Sequence, residues 1–148
     1  LEEMRLSVRG IAGKPVQLTD ALADWRAEVV SRLGEAGVEV DWQSLDPEEP
    51  RTLPARSYVQ TTRVLREATS NLIKHSGATR AIYQCSVGDD FQLVIRDNGR
   101  GIPLELDGKL DRGHGMASMK ARAKQMQGQC LVESGPGYGT VIRLTLPL

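Results

Sequence analysis

Apolar positions recur along this chain with two periods, and together they predict helices interleaved with strands. Leu22, Trp25, Val29, Val30 and Leu33 fall three or four apart. They predict a helix that starts at a Thr19 or Asp20 cap and runs to about Ala36, where Gly37 ends it. Tyr58, Thr61, Leu65, Ala68 and Leu72 form a second stripe and predict a helix from about Pro54 to His75. A third helix is predicted over Met116–Met126, with Met116, Met119, Ala123 and Met126 turned inward. Strands are predicted at Val38–Trp42, Arg80–Val87, Phe91–Asp97, Cys130–Ser134 and Thr140–Leu146. Gly88-Asp89-Asp90 makes a hairpin-like turn between the second and third, and Gly135-Pro136-Gly137-Tyr138-Gly139 separates the last two. Leu45–Pro54 carries three prolines and several acids and reads as a loop. Leu1–Arg9, with Leu1, Met4 and Val8 on one stripe, reads as the end of a helix belonging to a preceding element. Helices among mostly antiparallel strands predict an α+β two-layer sandwich.

The second predicted helix has a polar side as well. At about 3.6 residues per turn, Glu67, Asn71 and Lys74 form one column, opposite Leu65, Ala68, Leu72, Thr61 and Tyr58. A carboxylate, an amide oxygen and an ammonium in one column suit a metal-bound triphosphate. The carboxylate can polarise an attacking group, the amide oxygen can ligate a hard cation, and the ammonium can meet a phosphate. The same column is also what a solvated face on a core helix looks like.

Three further segments give that column something to face. Asp97-Asn98-Gly99-Arg100-Gly101-Ile102-Pro103 follows an apolar strand directly. It puts a carboxylate at the mouth of the fold beside backbone that a ligand can approach closely. Asp-Asn-Gly is equally a common turn. Gly113-His114-Gly115-Met116 precedes a helix, where free amide groups and the positive helix end can face an anion. No Gly-Lys-Ser/Thr follows, so it is not a P-loop. No third glycine or βαβ unit makes it a dinucleotide fingerprint. Gly139-Thr140 enters the last strand and could set a hydroxyl beside a base, although threonine is also simply a good strand former.

Composition narrows the classes. The 148 residues fit one domain with a real core, at 40% apolar and 26% charged content. Net charge is zero, which argues against nucleic acid or an anionic membrane as a partner. The two cysteines, Cys85 and Cys130, sit among strand residues and read as buried reduced thiols of a cytoplasmic protein. No membrane span or signal peptide is evident. The chain opens on Leu1 rather than Met, so the expectation is a piece of a longer protein, with room for membrane or sensor segments upstream.

Taken in order, these motifs resemble the nucleotide-binding domain of histidine kinases, in the wider family with DNA gyrase, the Hsp90 chaperones and the MutL repair proteins. The resemblance covers residues 56–148. Arg66-Glu67-Ala68-x-x-Asn71-x-x-Lys74-His75 looks like the N box of nitrate/nitrite-sensor-like kinases. Gly113-His114-Gly115-Met116-x-x-Met119-x-x-Arg122-Ala123 is similar to that subfamily's second glycine box, with Met116 where Leu is commoner and Gln127-Gly128 where two glycines are common. Leu1-Glu2-Glu3-Met4-Arg5-x-x-Val8-Arg9-Gly10 resembles the end of their dimerisation domain.

The resemblance implies a Bergerat-type ATP-binding fold, a mixed sheet of about five strands covered on one face by about three helices. It implies residues 1–10 as the end of a dimerisation helix and 11–148 as the catalytic ATP-binding domain. Asp97 would bond the adenine amino group, with Gly101 and Thr140 shaping the base pocket and Gly99 and Ile102 among the ATP-binding residues. Asn71 would ligate Mg²⁺, Glu67 would position or activate the attacking group, and Lys74 would neutralise phosphate charge. Gly113, Gly115 and Met116 would belong to a loop closing over the phosphates, with His114 either donating to a phosphate or packing the loop. His75 would be structural or a nucleotide contact, not the phosphoacceptor.

Both histidines fall inside nucleotide motifs, so the expected chain binds ATP and leaves the acceptor histidine to an upstream dimerisation/phosphoacceptor domain. The expected setting is a cytoplasmic domain of a homodimeric sensor kinase. It would signal to a response regulator with a helix-turn-helix output domain and make no direct nucleic-acid contact. An anti-sigma-factor-type serine kinase, or a nucleotide-binding module without catalysis, would share the same fold.

Overall fold

Alternation on the long strands sorts their side chains onto two faces, and one face is apolar enough to demand a cover. The structure, a computed structural model, describes residues 13–100, 116–135 and 139–148. The described elements are β1 (Val16–Gln17), α1 (Leu18–Glu35), β2 (Glu39–Ser44), β3 (Thr52–Leu53), α2 (Ala55–Asn71), a π turn (Leu72–Ser76), β4 (Arg80–Val87), β5 (Asp90–Asp97), α3 (Met116–Gln125), β6 (Gln129–Gly135) and β7 (Gly139–Pro147). Five strands form one sheet in the order β2-β4-β5-β7-β6, and β1 pairs with β3 in a small ladder of its own.

Inner-face residues line up in rows across the sheet. Tyr83 pairs with Ile95, Ile95 with Ile142, and Ile142 with Val132. The next row holds Cys85, Leu93, Leu144 and Cys130, and Phe91 and Leu146 follow. The three helices cover these rows. Trp25, Val29 and Leu33 of α1, Val64, Leu65 and Ala68 of α2, and Met119 and Ala123 of α3 are all buried. The fold is therefore the α+β sandwich that the pattern predicts.

The polar atoms of this interior are partnered with one another. Trp25 stacks on Tyr58 with ring centroids 5.8 Å apart, and its Nε1–H donates to Thr62 Oγ1 at 2.8 Å. Thr62 Oγ1 donates in turn to the Tyr58 carbonyl at 2.7 Å. Thr69 and Tyr83 join their hydroxyls at 2.8 Å. Burial pushes the Tyr83 phenol up to about 12, against the pull of that hydrogen bond. Cys85 and Cys130 are free, buried thiols, raised by burial to about 12 and about 11. An Arg66–Glu28 ion pair at 2.8 Å ties α2 to α1, aided by an Arg32 Nη2 bond to Ser70 Oγ at 2.9 Å.

Several features depart from the sequence pattern. The first helix begins at Leu18 with Gln17 as its cap, so Thr19 and Asp20 lie inside it rather than capping it. β1 and β3 were not expected, because two residues carry no alternation and their partner lies more than thirty positions away (Val16 opposite Leu53). β2 runs parallel to β4, whereas the other neighbouring strands of the large sheet are antiparallel. The long helix ends at Asn71 and continues as a π turn rather than as α-helix to His75. The expected helix at Leu1–Arg9 lies outside the described residues. Among the described residues no helix is long and apolar enough to cross a membrane.

Candidate functional site

One end of the inner face is polar. Beyond the Tyr83–Ile95–Ile142–Val132 row comes Asp97 on β5, then Thr140 on β7, then its cross-strand partner Ser134 on β6. Period-two alternation places them on the same face as the apolar rows. The helices stop short of covering this row, and a small cavity of about 20 Å³ opens there. Ala68, Asn71, Leu72, His75, Ser76, Asp97, Thr140 and Ile142 line it.

Asp97 is half-buried at the carboxyl end of its strand. Its Oδ1 accepts from the Gly99 amide at 2.8 Å and from the Thr140 amide at 3.3 Å. Burial raises its carboxyl above the usual range, and the two amides pull the other way. Both bonds fall on one oxygen. Among the described residues Oδ2 accepts no hydrogen bond, which leaves it available to a donor in the cavity.

The neighbours of Asp97 divide the labour. Asn98 serves the fold: its Oδ1 accepts from the Thr79 and Arg80 amides, each at 3.0 Å, and its Nδ2 donates to Thr79 Oγ1 at 3.0 Å. Gly99 gives clearance, since a Cβ there would collide with the Ser76 carbonyl. Arg100 straps the segment to the π turn. Its amide donates to the Ser76 carbonyl and its Nε to the His75 carbonyl, each at 2.9 Å, so carbonyls left open at the helix end are satisfied. Gly139, at φ +74°, brings its backbone against Asp97; a Cβ there would strike the Asp97 carbonyl and lie 3.0 Å from Oδ1.

The structure brings Asn71, His75, Asp97 and Thr140 together around the cavity. It does not bring Glu67 or Lys74 to it: Glu67 is half-exposed one turn earlier on α2, and Lys74 is exposed. The π turn explains the second displacement. A turn closed by i→i+5 bonds rotates less per residue than an α turn, so Lys74 falls away from the Asn71 column and His75 comes beneath it. Ala68 and Leu72 were placed opposite Asn71 by the helical stripe, yet both border the cavity beside it. Ser76 and Ile142 were not singled out from sequence. Ile142 could have been, because it lies two positions beyond Thr140 on one strand face. The expectations for Gly101, Ile102, Gly113, His114, Gly115 and the Met116 side chain lie outside the described residues.

Among the described residues no three His, Cys, Asp or Glu side chains cluster as a metal site. A divalent cation held here would take Asn71 as one ligand and need the remaining oxygens from what it accompanies. The cavity is partly apolar and has room for about one water molecule. Its walls are the apolar side chains of Ala68, Leu72 and Ile142, with an outward carboxylate oxygen at one point.

Residues 57–148 match the family described as histidine kinase-, DNA gyrase B-, and HSP90-like ATPase. Over 113 residues the chain is 32% identical to the signal transduction histidine-protein kinase/phosphatase DegS of Bacillus subtilis, covering 75% of this chain and 29% of that protein. It is 31% identical over 110 residues to the nitrate/nitrite sensor protein NarX of Escherichia coli, covering 73% of this chain and 17% of that one. The chain thus spans less than a third of these relatives. Among solved structures, the histidine kinase domain of a blue-light activated kinase from Erythrobacter litoralis aligns with a TM-score of 0.69 at 18% identity, over 86% of this chain and 61% of that chain.

Proposed function

Because the chain belongs to the histidine kinase-, DNA gyrase B- and HSP90-like ATPase family, with nitrate/nitrite-sensor-like kinases among its relatives, we propose that it is the ATP- and Mg²⁺-binding catalytic domain of a two-component sensor histidine kinase. Bound ATP would supply the γ-phosphoryl group, and the acceptor histidine would belong to a dimerisation domain outside residues 1–148. Residues 1–10 would lead from that domain into the catalytic domain at 11–148. The whole protein would act as a homodimer and pass the phosphoryl group to a response regulator.

The observation that carries this reading is the Asp97 carboxylate. One oxygen is anchored by two backbone amides and, among the described residues, the other accepts no hydrogen bond beside the apolar walls. Asp97 accepts from the exocyclic amine of adenine, and Ala68, Leu72 and Ile142 exclude water from the base. Asn71, buried at the last α-helical turn, offers its amide oxygen to Mg²⁺. Glu67, one turn earlier, orients the attacking histidine, and His75 and Lys74 at the π turn offset phosphate charge. Transfer by such a domain is positioning and charge neutralisation, so the isolated chain binds nucleotide without phosphorylating itself.

Titration calorimetry on the folded domain tests both roles. A hydrogen bond to a charged group contributes about 1.5–3 kcal/mol, so Asp97→Ala weakens ATP roughly tenfold or more, at about 1.4 kcal/mol per decade. Asn71→Ala weakens MgATP more than metal-free ATP. Unchanged affinity in a folded Asp97→Ala protein would overturn the base assignment. Equal losses with and without Mg²⁺ in Asn71→Ala would overturn the ligand role.

A further inference from the structure

A π turn is an uncommon way to end a helix, and this one is held from outside. Ser76 Oγ donates to the Leu72 carbonyl, the acceptor that an α-helical Ser76 amide would use, and accepts from the Ala78 amide at 2.9 Å. Arg100 clasps the end of the turn with two donors. Its amide meets the Ser76 carbonyl and its Nε–H meets the His75 carbonyl, each at 2.9 Å. The clasp is anchored to the strand end that carries Asp97. Asp97 Oδ1 accepts from the Gly99 amide, and Asn98 Oδ1 accepts from the Thr79 and Arg80 amides. Gly99 lies so close to Ser76 that no Cβ fits between them. Arg100 is exposed and does not line the cavity; His75 lines it and Lys74 does not.

We infer, resting on the ATP-binding reading above, that Arg100 is a positioning residue: by holding the His75 carbonyl it fixes the π register and so selects His75 over Lys74 as the side chain that meets the phosphates. In a helix continued at about 3.6 residues per turn, Lys74 would lie on the Asn71 side. A turn closed by i→i+5 bonds rotates less per residue, which carries Lys74 away and leaves His75 beside Asn71 at the cavity. Carbonyls of a last helical turn have no partner within the helix, so the register that presents them to fixed donors is favoured. Arg100 supplies those donors from a segment tied to Asp97. One piece of backbone thus sets both the Asp97 side and the His75 side of the site, and Arg100 acts through the His75 carbonyl.

Calorimetry of MgATP binding distinguishes positioning from a charge effect and from a merely structural role. His75→Ala and Lys74→Ala are each measured in the wild-type chain and in Arg100→Met and Arg100→Gln backgrounds, with every variant checked for a cooperative melt. Glutamine carries an uncharged amide N–H where arginine has its Nε–H; methionine keeps the stem and lacks the donor. In the wild-type background His75→Ala weakens MgATP roughly fivefold, the equivalent of one ordinary hydrogen bond, and Lys74→Ala weakens it less. In Arg100→Met the order reverses, because the turn relaxes toward α-helix and brings Lys74 round. In Arg100→Gln the wild-type order is kept. An unchanged order in Arg100→Met would overturn the inference. So would an Arg100→Gln background that behaves like Arg100→Met, which would assign the effect to charge, or a wild-type chain in which Lys74→Ala costs as much as His75→Ala. Each of these outcomes leaves the ATP reading intact. A wild-type chain that binds no MgATP would overturn both.

Discussion

The two ends of the sheet's inner face are built from the same strands and crossed by the same helix, yet they are finished in opposite ways. At the Phe91–Leu146 end, Trp25 sits between Tyr58 and Phe91, and its one polar atom is satisfied by Thr62. At the Asp97–Thr140 end, backbone amides hold one carboxylate oxygen, the other accepts no hydrogen bond among the described residues, and buried Asn71 lines the same cavity. The first end concentrates apolar burial and closed hydrogen bonds, the terms that stabilise a fold. The second keeps a partly desolvated carboxylate in position at some cost to stability. The difference places most of the apolar burial at one end and the proposed ligand chemistry at the other, with α2 running between them.

The sharpest test of that division is Trp25→Ala. Removing a fully enclosed aromatic costs about 3–5 kcal/mol, and urea unfolding should show it as a lower midpoint. The folded fraction should still bind ATP with near wild-type affinity. Loss of affinity in that fraction would break the separation of the two ends.

A second substitution strikes the polar end through its backbone. Gly139→Ala asks an L-residue to hold φ +74° with its Cβ against Asp97. Strain of this kind costs about 1–3 kcal/mol, so a thermal melt should shift down modestly. ATP affinity should fall further than stability does, because the group displaced is Asp97 itself. A variant that melts lower but binds normally would show that the close approach serves the fold alone.

Asp97→Asn gives the smallest and most telling change in stability. Burial raises the Asp97 carboxyl in the folded state, so the folded protein holds this proton more tightly than the unfolded chain does. Its ionisation cost is absent below the ordinary carboxylate range. The cost grows as pH rises through the raised folded value, and it is fully present above that value. Asparagine keeps an oxygen for the Gly99 and Thr140 amides and removes the charge. At neutral pH the variant should therefore melt no lower than wild type and should lose the wild-type decline across that window, while ATP binding falls about tenfold. A lower melting temperature for Asp97→Asn would mean that the carboxylate stabilises the empty domain.

Much of this was legible in the residues. Leu22, Trp25, Val29 and Leu33 and the stripe Leu65–Ala68–Leu72 are buried as helical spacing requires, whereas Val30, expected on the same face, is exposed; the alternating Phe91, Leu93 and Ile95 face the core. Asp97 at a strand end and Thr140 at the next strand's start were both visible as candidates, and both line the cavity. Lys74 and His75 mark the limit of local periodicity. A uniform helix of 3.6 residues per turn favours Lys74 in the Asn71 column, and only a local switch to a π turn selects His75. Ser134 carries no local signal, because its place opposite Thr140 is set by cross-strand register, not by its neighbours in the chain.

Local periodicity and a few glycines thus determined the elements, the apolar face and the positions where a carboxylate and a hydroxyl would emerge. These depend on residues within one or two turns of each other, so the sequence contains the information directly. Strand register, the parallel pairing of β2 with β4, the π turn after Asn71 and the Ser134–Thr140 contact were decided by tertiary structure. Each depends on contacts between segments far apart in the chain. A one-residue slip between β6 and β7 would leave every strand intact and separate Ser134 from Thr140.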